Sequence, residues 1–138
     1  MKPISKFFEE DLSAPLHNKM WSWGARDLAG RVVLRVWNDE LRRVPGQNGW
    51  WVSVDYDKDP SNTQNNGLNE RREHLSSTRA GVPTACIVYQ REEGSKEKIK
   101  GYLPDIVWVL TSQTCVVYNE VLYRVACNTT VERWMSSI

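Results

Sequence analysis

The chain has 138 residues, 25% charged residues and a formal net charge of +1, which fits one globular domain over residues 1–138 and argues against disorder. A mean hydropathy of -0.54, with no run of roughly 20 apolar residues, argues against a membrane-spanning chain. The near-neutral charge argues against a protein that holds nucleic acid by charge alone.

The first part of the chain is predicted to form a short tether and then a strand. Residues 1–15 mix Phe7 and Phe8 with acidic side chains and end at Pro15, which favours a helical tether. They contain no apolar signal region, so we predict a cytoplasmic protein without a membrane partner. Residues 31–37 alternate in a way that predicts a half-buried strand, with Val32, Leu34 and Val36 toward the core.

The middle of the chain is predicted to hold a strand, a long loop and a helix. Residues 45–49 are turn formers, and residues 50–56 alternate as a second strand. Residues 58–69 are rich in Asp, Asn, Ser, Thr and Gln, which indicates a long polar loop. Residues 70–80 are predicted to form a helix that stops at Gly81.

The last part of the chain is predicted to be a run of short strands closed by a helix. Strands are expected over residues 84–90, 99–103, 106–110, 115–118 and 121–127, with a charged hairpin loop at 91–98. A capping box starting at Thr129 predicts a short terminal helix. Short, regularly spaced strands favour an α+β, mainly β fold, a compact barrel or strongly curved antiparallel or mixed sheet with one or two short helices.

Catalytic signatures are scarce in this sequence. Only two histidines are present, so a histidine-rich metal site cannot form, and we predict no cofactor. The three cysteines lie in apolar runs at wide spacing and are interpreted as buried core residues. Asp55, Asp57 and Asp59 could hold Mg²⁺, although acidic residues beside Pro60 are also ordinary turn formers.

The feature that indicates a function is the combination of seven tryptophans with interleaved arginines. Indole rings next to guanidinium groups suit stacking on bases and pairing with phosphates, although the same residues can cap a core through cation–π contacts. The predicted helix adds arginines on either side of a stripe made of Leu68 and Leu75. The predicted nucleic-acid-binding residues are Trp21, Trp23, Arg35, Trp37, Arg71, Arg72 and Arg79.

Four segments, WSWGA, GRVVLRVW, NERREHLSSTRAGVPTACIVYQ and KIKGYLPDIVWVL, together resemble the PUA-like group of EVE, ASCH and SRA domains. That resemblance implies a small β-barrel that reads a modified base in an aromatic pocket, DNA rather than RNA as the ligand, and a separate nuclease as partner. The nuclease half of that group is missing from these residues, as expected for a stand-alone reader, a fragment, or a phage or mobile-element protein that acts through a partner. Two alternatives stay open: a small metal-dependent nuclease using the three aspartates, and a protein-interaction module.

Overall fold

The computed structural model describes residues 2–18, 22–54, 66–91 and 99–137 of the chain. These residues form one mixed sheet of nine strands and three helical segments, so the fold is mainly β within the α+β class. The helical segments are α1, which begins over Ile4–Lys6 and continues as a π-helical turn over Phe7–Asp11, α2 over Asn66–Arg79, and α3 over Val131–Ser136. The strands are β1 (Gly24–Arg26), β2 (Val32–Trp37), β3 (Leu41–Arg42), β4 (Trp50–Ser53), β5 (Thr84–Arg91), β6 (Ile99–Tyr102), β7 (Ile106–Val109), β8 (Cys115–Tyr118) and β9 (Val121–Thr130).

The sheet curls back on itself but stays open. Its strand order is β1-β2-β5-β7-β9-β4-β3, with β6 paired to β5 and β8 paired to β9 beside this path. Only residues 38–40 connect β2 to β3. This short connection keeps the end of β2 within about 14 Å of the start of β3, although several strands separate the two in the strand order. Of the two predicted forms, a compact barrel or a strongly curved antiparallel or mixed sheet, the compact barrel is wrong, because in the described part of the chain no ladder joins β3 to β1. The edge strands β1 and β3 have three and two residues.

Strands β2 and β5 form the centre of the fold. They run parallel, with Val32 opposite Thr84 and Trp37 opposite Tyr89. Parallel pairs are normally covered on both faces, and here α1 and α3 cover one face while α2 covers the other. Val33 is consequently as fully buried as its neighbours. Val32, Leu34 and Val36 lie in the core as predicted, and the second face is mixed, because Val33 is buried while Arg35 and Trp37 are partly exposed.

The N-terminal segment predicted as a tether packs into the core. Phe7 and Phe8 are both 0% exposed, and Phe7 lies with its ring centroid 5.0 Å from that of Tyr102. The hydroxyl of Tyr102 also donates to the carbonyl oxygen of Lys2 at 2.6 Å. The helical turn predicted before Pro15 is present, and two aromatic side chains anchor it.

Helix α2 begins at Asn66, four residues before its predicted start at residue 70. Leu68 and Leu75 are buried, and this tertiary burial outweighs the low helix propensity of the Asn66-Gly67 pair. The prediction of a loop is thus wrong for residues 66–69, whereas residues 58–65 lie outside the described residues. The helix ends at Arg79, and Gly81 follows with a φ of +102° that favours glycine.

The later strands begin at the five residues predicted from the sequence, although most of the hairpin loop, residues 92–98, lies outside the described residues. The terminal helix is also confirmed, but its cap is one residue further on, because the Thr130 hydroxyl accepts from the Arg133 amide at 3.1 Å. Cys86 is buried as predicted, whereas Cys115 and Cys127 are exposed on β8 and β9. In the described ranges, no helix is long and apolar enough to cross a membrane.

Candidate nucleic-acid interface

Helix α2 packs against strands β1 and β2 with a face that contains polar side chains. The buried side chains recur every three or four residues, and they include Arg71 and His74 as well as the expected Leu68 and Leu75. Arg71 is only 2% exposed, and its Nη2 donates to the carbonyl oxygen of Arg35 on β2. Arg71 therefore lies inside the fold, whereas the sequence predicted an arginine flanking the buried stripe at the helix surface.

Four of the predicted site residues meet in an arginine–aromatic cluster, which we define as Trp23, Arg35, Trp37, Arg71 and Tyr89. The guanidinium carbon of Arg71 lies 5.8 Å from the Trp23 ring centroid, and that of Arg35 lies 5.2 Å from the Tyr89 centroid. Tyr89 stacks on Trp37 with centroids 4.1 Å apart and planes 35° apart. The parallel register of β2 with β5 accounts for this last contact, since it sets Trp37 opposite Tyr89.

Arg35 contributes a positive charge that no carboxylate of the described residues neutralises. The three ion pairs found among these residues involve Lys2 and Arg31 instead. Nη1 of Arg35 donates to the Ser22 carbonyl oxygen at 2.9 Å, while its buried Nε has no hydrogen-bond partner in the described part of the chain. Burial lowers the pKa of Arg35, and the nearby charge of Arg71 lowers it further. A half-buried cation in this state is suited to an anionic ligand.

The remaining predicted residues lie elsewhere. Arg72 is half-buried and its Nη1 donates to the Asn69 side-chain oxygen at 2.9 Å. Arg79 is exposed in the last turn of α2, about 12 Å along the helix axis from Arg71. Trp21 lies outside the described residues, so its predicted role is not addressed by the structure.

A second arginine–aromatic surface lies on the β3–β4 hairpin and was missed at the sequence level. We define the hairpin face as Arg43 and Trp50, whose guanidinium and ring centroid lie 4.7 Å apart. The guanidinium of Arg42 lies 4.7 Å from the Tyr118 centroid on the other face of the hairpin, because Trp50 and Tyr118 pack against different core clusters. The available signal was the pairing of two arginines with two tryptophans across the turn at residues 45–49. Tyr118 gives no such signal, because it reaches the hairpin only through the pairing of β8 with β9.

The metal site considered from the sequence is not addressed. Asp55, Asp57 and Asp59 all lie outside the described residues. Within the described residues, no group of three histidine, cysteine or carboxylate side chains is placed to hold a metal ion. The nuclease alternative therefore depends on a segment whose geometry the structure does not describe.

A cleft of about 880 Å³ opens between edge strand β1 and helix α2. Glu70, Glu73 and His74 form the helix wall, and Gly24 and Ala25 contribute the strand. Burial raises the pKa of Glu70, whereas burial and the charges of Arg71 and Arg26 lower the pKa of His74 to about 4. The cleft adjoins the arginine–aromatic cluster through Ser22, whose hydroxyl donates to Glu70 at 3.3 Å and whose carbonyl oxygen accepts from Arg35.

The described residues thus offer two arginine–aromatic surfaces and one acidic cleft, and the resemblance to PUA-like readers stays a prediction beside them. No protein-family model, curated protein or solved structure matches this chain.

Proposed function

We propose that this chain is a nucleic-acid-binding module that uses the arginine–aromatic cluster together with the hairpin face. The observation that carries the proposal is Arg35, a half-buried guanidinium with no carboxylate beside it among the described residues and with the Tyr89 ring centroid 5.2 Å from its guanidinium carbon. A phosphate is the anion that a guanidinium binds with good geometry. Aromatic rings beside it provide stacking surfaces for bases.

The two surfaces divide the work of binding. Trp23 and Trp37 are half-buried, so each retains exposed ring surface on which a base can stack. Arg43 is exposed over Trp50 and is suited to the phosphate backbone, which is the same in every sequence. Because three residues separate β2 from β3, Trp37 and Arg43 lie within about 21 Å of each other. One strand of nucleic acid rising about 3.4 Å per nucleotide spans that distance in roughly six nucleotides.

The ligand class follows from the same residues and from the resemblance noted above. The resemblance favours DNA, including DNA that carries a modified base, and a cytoplasmic protein that acts beside a separate nuclease. The cluster itself supports stacking and phosphate pairing, which any single strand can satisfy. Preference among bases is therefore the property that an experiment has to establish.

The test is fluorescence anisotropy with labelled single-stranded and duplex oligonucleotides, modified and unmodified, from about 50 to 200 mM salt. We expect binding that weakens steeply with salt. Arg43→Ala should reduce the slope of log affinity against log salt by about one for every oligonucleotide. Trp37→Ala should weaken the preferred oligonucleotide by about 5- to 150-fold, since stacking contributes roughly 1–3 kcal/mol per base.

Arg133→Ala is the matched control, because Arg133 is exposed on α3 and belongs to neither surface, and it should bind as the wild type does. Thermal midpoints have to agree between variants, since removing a packed tryptophan costs stability as well. The proposal is wrong if the wild type binds none of the oligonucleotides at low salt, or if both Arg43→Ala and Trp37→Ala fold and bind like the wild type. Mg²⁺-dependent cleavage that Asp55→Ala abolishes would favour the nuclease alternative.

A further inference from the structure

The cleft between β1 and α2 has two chemically different walls. Pro15, Leu16 and Ala25 line it with apolar surface. Opposite them, Glu70, Glu73 and His74 occupy positions i, i+3 and i+4 of α2 and therefore share one helix face. A ligand that fills this cleft needs an apolar body on one side and a polar group on the other.

The polar wall contains acceptor atoms whose hydrogen bonds are not made within the described part of the chain. His74 is 6% exposed, yet its Nδ1 has no hydrogen-bond partner among the described residues. The same holds for Oε1 of Glu70, while its other oxygen receives one long bond of 3.3 Å from Ser22. A buried polar atom without a partner costs roughly 1–3 kcal/mol. Both atoms lie beneath the surface of the wall, so a ligand in the cleft meets this wall through the half-buried carboxylate of Glu70 and the exposed carboxylate of Glu73.

The charge of the wall decides which donor fits. Neither Glu70 nor Glu73 forms an ion pair with a described lysine, arginine or histidine. Arg26 and His17 also line the cleft. Nη2 of Arg26 donates to the Ser77 hydroxyl at 2.6 Å, and the charge of His17 acts against the burial that raises the pKa of Glu70. An anion would meet two glutamates here, whereas a planar cation with several N–H donors would pair with them.

Gly24 lets helix α2 lie close to strand β1 beside the cleft. A Cβ atom at this position would lie 2.7 Å from the Val33 carbonyl oxygen and 3.3 Å from Nδ1 of His74. Both distances are too short for an ordinary contact. A glycine here lets the His74 ring lie directly against the strand at the floor of the cleft.

We propose that this cleft binds a small organic cation that joins an aromatic or apolar body to an amidinium or guanidinium head. The head donates to Glu70 and Glu73, and the body lies against Leu16 and Ala25. The cationic head also offsets the unfavourable burial that raises the pKa of the Glu70 carboxyl. This site is separate from the proposed nucleic-acid surfaces and does not depend on them.

The experiment is an NMR titration of the amide signals of the whole protein with benzamidine, with benzamide as its neutral isostere. We expect saturable shifts at Gly24–Arg26 and at the first half of α2, and at least tenfold weaker binding of benzamide. Glu70→Gln should weaken benzamidine by about 10- to 150-fold, because hydrogen bonds to charged groups contribute roughly 1.5–3 kcal/mol. Glu132→Gln, an exposed carboxylate on α3, should leave the affinity unchanged.

Three results would overturn the proposal: no saturable shifts at millimolar benzamidine, equal affinity for benzamide, or shifts that map away from β1 and α2. If Glu70→Gln does not fold, two measurements still test the proposal. They are the comparison of benzamidine with benzamide on the wild type and the affinity of Glu73→Gln for benzamidine. Arg43→Ala, which should weaken nucleic-acid binding, is expected to keep the wild-type affinity for benzamidine. Failure of one site is thereby distinguished from failure of the other.

Discussion

The surroundings of His74 keep its imidazole neutral. This residue is therefore expected to make the free energy of unfolding depend on pH below neutrality. Burial comes first among the causes, followed by the charges of Arg71 and Arg26, and together they lower its pKa from 6.5 to about 4. The unfolded chain takes up this proton near pH 6.5, whereas the folded chain takes it up only near pH 4. The unfolded state therefore binds more protons in that window, and the free energy of unfolding falls as the pH drops from 6.5 to 4.

We expect His74→Gln to remove this component of the pH dependence. Between pH 7 and pH 4 the wild type should lose about 2 kcal/mol more than the variant in free energy of unfolding. Urea denaturation followed by tryptophan fluorescence at several pH values measures the difference. His17→Gln replaces the only other histidine, which is exposed, and should keep the wild-type profile. Parallel profiles for the wild type and His74→Gln would show that His74 titrates normally in the fold.

The sequence predicted which residue types form the candidate site, but it did not predict how deeply these residues are buried. Alternation along residues 31–37 placed Arg35 and Trp37 on one side of a strand, and the structure brings both into the arginine–aromatic cluster. Tyr89 could not be added from sequence, because only the parallel register of β2 with β5 brings it there. The interior position of Arg71 was equally hidden, since its acceptor is a backbone carbonyl on a different element.

At the scale of elements, α1 contributes more to the core than its sequence indicates. It has only one α-helical and one π-helical turn, too short to be stable alone. Phe7, Phe8 and Leu12 are nevertheless fully buried against the face of the sheet that also carries Val33. The segment is therefore expected to be a structural part of the core.

We expect Phe8→Ala to destabilise the protein by about 3–5 kcal/mol, because it removes a large buried ring and leaves a cavity. Leu28→Ala is the control, since Leu28 is 87% exposed and should change stability by less than about 0.5 kcal/mol. Chemical denaturation monitored by circular dichroism compares the two. A loss for Phe8→Ala no larger than that for Leu28→Ala would mean that α1 is a loose tether, as the sequence suggested.

The residues at which strands and helices begin were easier to predict from the sequence than the contacts that these elements make. The starts of β5 to β9 follow from local chemistry, such as the turn before Thr84 and the Asn119-Glu120 turn, in which both residues have positive φ. The start of α2 was predicted four residues late because Asn66 and Gly67 are weak helix formers whose cost is offset by the burial of Leu68.

At the scale of the whole molecule, the two proposed binding surfaces lie on differently protected parts of the sheet: the arginine–aromatic cluster on the central strands β2 and β5, and the hairpin face at an edge. The parallel pair β2–β5 is covered on both faces and has a neighbour on each side. Strand β3 is an edge of only two residues and pairs with β4 alone. The hairpin face therefore stands on the less protected end of the sheet. Ligand-binding segments are commonly drawn from regions of low local stability.

This arrangement predicts a gradient of local stability that native-state hydrogen exchange can measure. Amides of β2 and β5 that are hydrogen-bonded inside the sheet should exchange only through global unfolding, since exposing them separates strands on both sides. Their free energies of exchange should equal the free energy of unfolding from denaturation and should fall with added denaturant. Amides of β3 and of the hairpin turn should exchange with lower free energies that hardly depend on denaturant, because local opening suffices there. Equal protection of β3 and β2 would contradict this prediction. It would mean that β3 is hydrogen-bonded on both sides in solution, through a further ladder near the short β2–β3 connection.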